Sequence, residues 1–222
     1  MIDSVDQKSV NKILLCYHLH STRGLHLYKY TGFITYKMSN IRRILITGSP
    51  GSGKTTLIKG LKKKGYKVFY EFSRSLIKSH DNEGNKNLFL KDPINFSTKL
   101  LDRRIKQFND AKRIKKAKNN LVFYDRGIQE IFGYLKAIGL DKLSWKKKLT
   151  DYRYDIVFIA PPWKEIYTND KQRFETFEEA KIYYHFIKDS YQIIHELVEI
   201  PKIDIQSRID FVESYITKYN LF

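Results

Sequence analysis

Cysteine is nearly missing from this sequence: Cys16 is the only one in 222 residues. One thiol excludes an intrachain disulfide and points to a reducing compartment. Long apolar runs are missing as well, and none approaches the roughly 20 residues a membrane-spanning helix needs. The opening residues Met1-Ile2-Asp3-Ser4-Val5-Asp6 carry acids where a secretory leader carries bases. A cytoplasmic, soluble protein is therefore expected. No internal repeat is visible, and the length suits one α/β domain with ample chain to bury a core. The guanine-reading pattern Asn-Lys-x-Asp is missing too, which argues against a conventional GTPase.

Acidic residues are in short supply. There are 24 against 41 basic ones, a net charge of +17. The excess is uneven: residues 1–40 carry +3, residues 41–148 carry +18 and residues 149–222 carry −4. A basic middle suits a polyanionic ligand. Nucleic acid is the sharper reading of Lys112-Arg113-Ile114-Lys115-Lys116-Ala117-Lys118 and of Lys146-Lys147-Lys148. Lysines outnumber arginines 30 to 11, however, and such runs commonly solvate helix faces. Nucleic acid is accordingly possible as a partner but not the favoured one.

What the sequence does have is a phosphate cradle. Gly48-Ser49-Pro50-Gly51-Ser52-Gly53-Lys54-Thr55 matches G-x-x-x-x-G-K-[ST] at every fixed position. The buried-strand pattern Ile44-Leu45-Ile46-Thr47 precedes it and a helix pattern follows it. Glycines let the backbone fold around an anion with its N–H groups turned inward, and the helix adds its positive end. Lys54 is expected to reach the β- and γ-phosphates of ATP, and the Thr55 hydroxyl to ligate Mg²⁺. Thr56 closes the nucleotide-binding stretch.

Residues 1–40 do not share this organisation. They show no convincing period and read as an N-terminal extension, poorly ordered or upstream of a true start at Met38. Cys16, His18 and His20 alternate as a metal site on a strand might, but their spacing matches no familiar zinc pattern. From residue 41 strands and helices alternate to residue 222, which predicts a doubly wound α/β P-loop domain. Its five-stranded, mostly parallel sheet would carry helices on both faces. The expected strands are Ile41–Thr47, Tyr66–Tyr70, Leu121–Tyr124, Asp155–Ile159 and Glu196–Ile200. Helices are expected from Lys54 to Lys64, from Glu71 to His80, from Pro93 to about Lys118 and from Ile128 to Ile138. Two more should run from Thr176 to Ile194 and from Ile205 to Tyr219, the latter capped by Asp204. Asp81–Lys91 reads as a loop.

Three further places carry chemistry. Leu121-Val122-Phe123-Tyr124-Asp125 is an apolar strand ending in a carboxylate, the Walker B pattern, so Asp125 joins Thr55 as a candidate metal ligand. Arg126 follows it, able to hold phosphate or substrate. Glu71 ends the second strand at the carboxyl edge, where open α/β sheets bind ligands, and could take a proton from an attacking hydroxyl or hydrogen-bond a ribose. Arg74 lies one helical turn further on. Lys171 and Arg173 lead into the next helix as lid candidates, with Arg173 preferred for its planar fork.

The stretches "ILITGSPGSGKTTLIKGLKKKGYKVFYE", "VFYDRGIQEIFGYLKAIG", "DIVFIAPPWKEIYTNDKQRFETFEEA" and "HELVEIPKIDIQSRIDFV" resemble the small bacterial predicted ATPases labelled as AAA-domain proteins. That family is similar to the nicotinamide-riboside kinase domain. The resemblance covers about residues 41–222 and implies a P-loop kinase-type core with its nucleotide site at Gly48–Thr56. It also implies that Asp125 and Arg126 form an Asp-Arg-Gly element and that Arg173 sits in a lid. No C-terminal helical lid domain, sensor or inter-subunit arginine-finger motif is evident, so ring mechanics are not supported. The reading is a Mg·ATP-using kinase or phosphotransferase-like ATPase with a small nucleoside- or riboside-like acceptor. Its catalytic candidates are Lys54, Glu71, Asp125, Arg126 and Arg173. The alternative is a nucleotide switch or binding module that engages nucleic acid or acidic lipid through the basic half.

Overall fold

The computed structural model describes residues 25–30, 33–38, 41–73, 91–140, 149–168 and 175–219. The chain divides into two compact units, residues 1–40 and residues 41–222. Within the first, β1 (Leu25–Tyr30) and β2 (Phe33–Met38) pair antiparallel, with Leu25 opposite Met38 and Tyr30 opposite Phe33. This hairpin was not expected from a stretch without a convincing period. Its signal is two six-residue runs rich in aromatic and aliphatic residues on either side of Thr31-Gly32. Cys16, His18 and His20 lie outside the described residues.

The second unit is built on β3 (Arg42–Gly48), β4 (Lys67–Phe69), β5 (Leu121–Asp125), β6 (Ile156–Ala160) and β7 (Leu197–Glu199). They form one sheet in the order β4-β5-β3-β6-β7, and every neighbouring pair is parallel. The P-loop strand β3 is central, so both its faces are covered, which explains its unbroken apolar run. Ile44 and Ile46 face one layer, with Leu57, Ile58 and Leu61 of α1 (Lys54–Lys63) and Ile209, Val212 and Ile216 of α5 (Ile205–Lys218). Leu45 faces the other layer, made by α2 (Pro93–Asp110), α3 (Gln129–Ala137) and α4 (Phe177–Gln192). Among the described residues no helix is long and apolar enough to cross a membrane.

The helix ends follow from local chemistry. Asp92 caps α2 by accepting the Asn95 amide at 3.0 Å, and Pro93 opens the helix. Thr176 and Glu179 close a capping box at the start of α4, and Asp204 accepts the Ser207 amide at 3.0 Å. One expected helix is shorter than its sequence suggests: α2 stops at Asp110, eight residues before Lys118. A single 3₁₀ turn, Ala111–Arg113, follows, and Ile114 takes an extended backbone. Lys112, Lys115 and Lys116 would stand as like charges three and four apart on a continued helix, which disfavours it. Leaving the helix still lets Ile114 and Ala117 pack on the same core while the chain turns back into β5. Residues 74–90 lie outside the described residues, and with them most of the helix expected after Glu71 and of the loop before Lys91.

The approach of α3 to α4 depends on Gly133. A Cβ there would stand 2.8 Å from the Phe186 carbonyl oxygen and 3.0 Å from the Ile187 Cα, both backbone atoms. Neither can rotate away. Gly133→Val is expected to destabilise the protein by about 1–3 kcal/mol, the usual cost of overpacking, as measured by urea unfolding.

Candidate functional site

The P-loop leaves the carboxyl end of β3, and its backbone is shaped by glycines. Gly48 has φ 124°, and a Cβ on it would lie 2.2 Å from the Ala160 carbonyl oxygen, so only glycine lets β3 pass this close to β6. The Ser49 amide donates to that same carbonyl at 2.9 Å. Gly53 caps α1 in the left-handed region, φ 80°, and the Lys54 side chain folds back into the loop. Its Nζ donates to the carbonyls of Gly48 at 2.9 Å and Ser49 at 2.5 Å. Lys54 is buried, and burial, followed by the charge of Arg126, lowers it to about 7.

Thr55, in the first turn of α1, faces the end of β5. Its hydroxyl donates to Asp125 Oδ2 at 3.3 Å, while Asp125 Oδ1 is buried without a hydrogen-bond partner among the described residues. Burial, followed by the charge of Glu71, pushes Asp125 up to about 6. A hydroxyl and a carboxylate with an unused buried oxygen, beside a phosphate cradle, fit a hard divalent cation such as Mg²⁺.

Arg126 and Glu71 stand on the next elements of the carboxyl edge. Arg126 adopts φ 69°, rare for a non-glycine residue, and its amide donates to the Ile46 carbonyl at 3.0 Å. That turn aims the guanidinium at Glu71, Glu130 and the Tyr134 hydroxyl, the last at 3.2 Å. Glu71 accepts the amides of Phe72 at 3.1 Å and Ser73 at 2.9 Å, and Arg104 of α2 reaches it at 3.4 Å. Burial opposes ionisation of Glu71, but Arg126, Arg104 and the Ser73 hydrogen bonds outweigh it and hold the carboxyl at about 2. Glu130 is fully buried; its second oxygen accepts the Thr47 hydroxyl at 2.6 Å, next to the P-loop.

The structure thus brings Lys54, Thr55, Glu71, Asp125 and Arg126 to one cavity of about 900 Å³. Arg173, Lys171 and Arg74 lie outside the described residues. Three buried charged residues at the site, Arg104, Glu130 and Arg208, have no counterpart in the motif reading. The available signal was a charge inside an apolar stripe. Arg104 lies four residues from both Leu100 and Phe108, and Arg208 four residues before Val212, all on buried faces. The lysine run lies elsewhere. Lys112, Lys115, Lys116 and Lys118 precede β5, at the amino end of the sheet, whereas the cradle follows the carboxyl end of β3. Lys118 donates to the Lys64 carbonyl at 2.8 Å and covers the Tyr66 ring at 4.3 Å. Lys146–Lys148 lie outside the described residues.

The sequence model of a family described as AAA domain matches residues 43–208, from β3 into the first turns of α5. The chain belongs to that family. No curated protein sequence matches it. Among solved structures, deoxyadenosine kinase from M. mycoides, with dCMP and a flexible dCDP bound, is similar at a TM-score of 0.57 and 16% identity. The match covers 79% of this chain and 99% of that one. Thymidylate kinase from Candida albicans is similar at a TM-score of 0.56 and 19% identity, covering 82% of this chain and 93% of that one. NadR in complex with NR gives a TM-score of 0.59 at 14% identity, covering 81% of this chain and 50% of that one. At these identities the likeness is one of fold, and the fold is that of P-loop kinases.

The Glu71 carboxyl ties stability to pH. Because its folded value lies below its ordinary 4.5, it stabilises the fold above that pH, and the contribution is lost as pH falls towards about 2. Arg104→Met removes one of the two guanidinium groups that lower it. The variant should be less stable at pH 7, with a shallower fall in stability below pH 4.5, read from urea unfolding at a series of pH values.

Proposed function

We propose that this AAA-domain chain is a Mg·ATP-dependent P-loop phosphotransferase whose acceptor is a small nucleoside- or riboside-like molecule. The observation that carries this reading is the cavity in which the phosphate cradle, the Thr55–Asp125 pair, Arg126 and Glu71 meet. Its far side is walled by Phe96, Leu100, Ile131, Tyr134 and Tyr183, a surface suited to a flat ring. The similar structures are of a deoxyadenosine kinase, a thymidylate kinase and an NR complex of NadR, which supports an acceptor of that class.

Bound Mg·ATP would supply the γ-phosphoryl group for an in-line transfer. In this reading Lys54 and the inward amides of residues 51–56 hold the phosphates, while Thr55 and Asp125 hold the ion. Arg126 lies between the cradle and Glu71 and offsets charge that develops on the transferring group. Arg173 is assigned the same task from the lid side. Glu71, ionised at neutral pH, accepts a hydrogen bond from the acceptor hydroxyl and orients it. Its low basicity suits that role, since a loose phosphoryl-transfer transition state demands positioning more than a strong base. The aromatic wall excludes water from the hydroxyl's side of the cavity, which favours transfer over hydrolysis.

The deciding experiment is a screen of nucleosides, nucleoside monophosphates and vitamin-like ribosides with γ-labelled ATP, scored as transfer above hydrolysis. Glu71→Gln should cut transfer by about 100-fold, because a neutral amide holds Arg126 and the acceptor hydroxyl less firmly in position, with the Kd for Mg·ATP little changed. Lys54→Ala should weaken Mg·ATP binding at least about tenfold, the loss of one charge-assisted contact, while circular dichroism stays unchanged. Wild-type affinity in Lys54→Ala would remove the basis of the nucleotide site. Replacing Lys115 and Lys116 with Gln should leave turnover unaltered, because both stand at the opposite end of the sheet.

A further inference from the structure

Arg208 is the one arginine at this cavity whose charge no carboxylate answers among the described residues. Arg104 and Arg126 each pair with Glu71, and Arg126 also pairs with Glu130. Arg208 is 3% exposed and forms no ion pair among the described residues. Its Nε is buried without a hydrogen-bond partner among them. Asp204, one helical turn before it, already uses both carboxylate oxygens on the Ser207 amide and hydroxyl, at 3.0 and 2.5 Å, and Asp210, two residues after it, accepts the Gln206 side-chain amide at 2.8 Å. Arg208 also lies in the first turns of α5, near the positive end of the helix dipole. Burial alone lowers its affinity for a proton. A guanidinium cannot give up its proton at neutral pH, so the folded chain carries an uncompensated buried cation at a cost in stability.

The location says what would compensate it. Nη1 donates to the Ser52 carbonyl of the P-loop at 2.9 Å, and a Cβ on Gly53 would lie 2.9 Å from the same nitrogen. The guanidinium lies over the Trp163 ring at 5.7 Å, and Ile166 and Ile205 line the cavity beside it. Arg208 therefore stands at Ser52 and Gly53, where the cradle meets apolar surface. We infer that Arg208 is a phosphate ligand for the donor nucleotide, a second cation brought to the P-loop by the C-terminal helix. The inference rests on the proposed nucleotide site and adds to it a residue that the P-loop motif does not contain. Its chemistry is a planar fork presented to the phosphate chain where that chain leaves the cradle.

The test compares Arg208→Met and Arg208→Lys with wild type, using Mg·ADP and tripolyphosphate as probes and the melting temperature of the ligand-free protein. A phosphate ligand predicts that Arg208→Met melts no lower than wild type, since a buried unpaired charge has been replaced by an apolar chain. Affinity for both probes should fall about 10- to 100-fold, with a smaller loss in Arg208→Lys. Unchanged affinity in both variants would overturn the inference. So would a loss for Mg·ADP with tripolyphosphate unaffected, which would assign Arg208 to the nucleobase. A lower melting temperature with an undiminished ligand-induced rise would make it a structural residue instead. Should Arg208→Met not fold, Arg208→Lys decides by the same affinities. Failure of the wild type to bind either probe would sink the nucleotide site itself, and the inference with it.

Discussion

Four side chains, Arg104 and Glu130 buried and Glu71 and Arg126 mostly so, fix the carboxyl edge of the sheet. They come from the end of β4, from α2, from the turn after β5 and from α3, and each touches at least one of the others. Removing Glu71 would leave Arg104, and removing Arg126 would leave Glu130, buried without its ionic partner, which costs more than the pair contributes when intact. The chain of contacts is anchored at both ends to backbone elements that matter for phosphate chemistry. Glu130 binds Thr47, the residue before the cradle begins, and Arg104 binds the Gly127 carbonyl just past Asp125-Arg126. The P-loop strand and the Asp-Arg turn therefore cannot move independently. This accounts for the left-handed backbone of Arg126, whose cost is borne by two carboxylates and a tyrosine hydroxyl.

The charges around the cavity divide into two kinds. On the acceptor side the guanidinium groups of Arg104 and Arg126 are neutralised within the protein. On the donor side, among the described residues, Lys54 is hydrogen-bonded by carbonyl oxygens and a serine hydroxyl, and Arg208 by a carbonyl, with a ring face beside it. An internally balanced half suits an acceptor that need bring no charge of its own. A half with buried, unbalanced cations suits a polyphosphate, whose arrival would relieve a penalty that the free protein carries.

Legibility in the sequence followed the same physical divide. The sheet could be read because β3, β5 and β6 are buried on both faces, and such strands need uninterrupted apolar residues. Caps such as Asp92, Thr176 and Asp204 are local devices and could be read locally. The end of α2 could not, because whether Ile114 remains helical is settled by the return into β5 and not by its neighbours. Arg104, Glu130 and Arg208 escaped for a related reason. A charged residue on a helix is ordinarily solvated, and only partners from remote segments make its burial tolerable. Their place within apolar stripes was the sole local trace. The hairpin of β1 and β2 escaped because six-residue strands carry too little periodicity to stand out.

This divide also explains why the phosphate donor can be argued more closely than the acceptor. The cradle is made mostly of backbone amides, and their positions follow from where the glycines permit φ above zero. Motif and geometry are then nearly the same statement. The proposed acceptor wall is made of side chains from three helices, α2, α3 and α4, whose spacing depends on packing such as the approach at Gly133. A change of one methyl group there alters the shape offered to an acceptor without touching any residue of the P-loop. Under the proposed function, a change in that wall would alter selectivity for the acceptor while leaving the phosphate chemistry of the cradle untouched. The buried ionic chain is what keeps the two compatible: it holds Arg126 and Glu71 in fixed relation to the cradle whatever ring the far wall accepts.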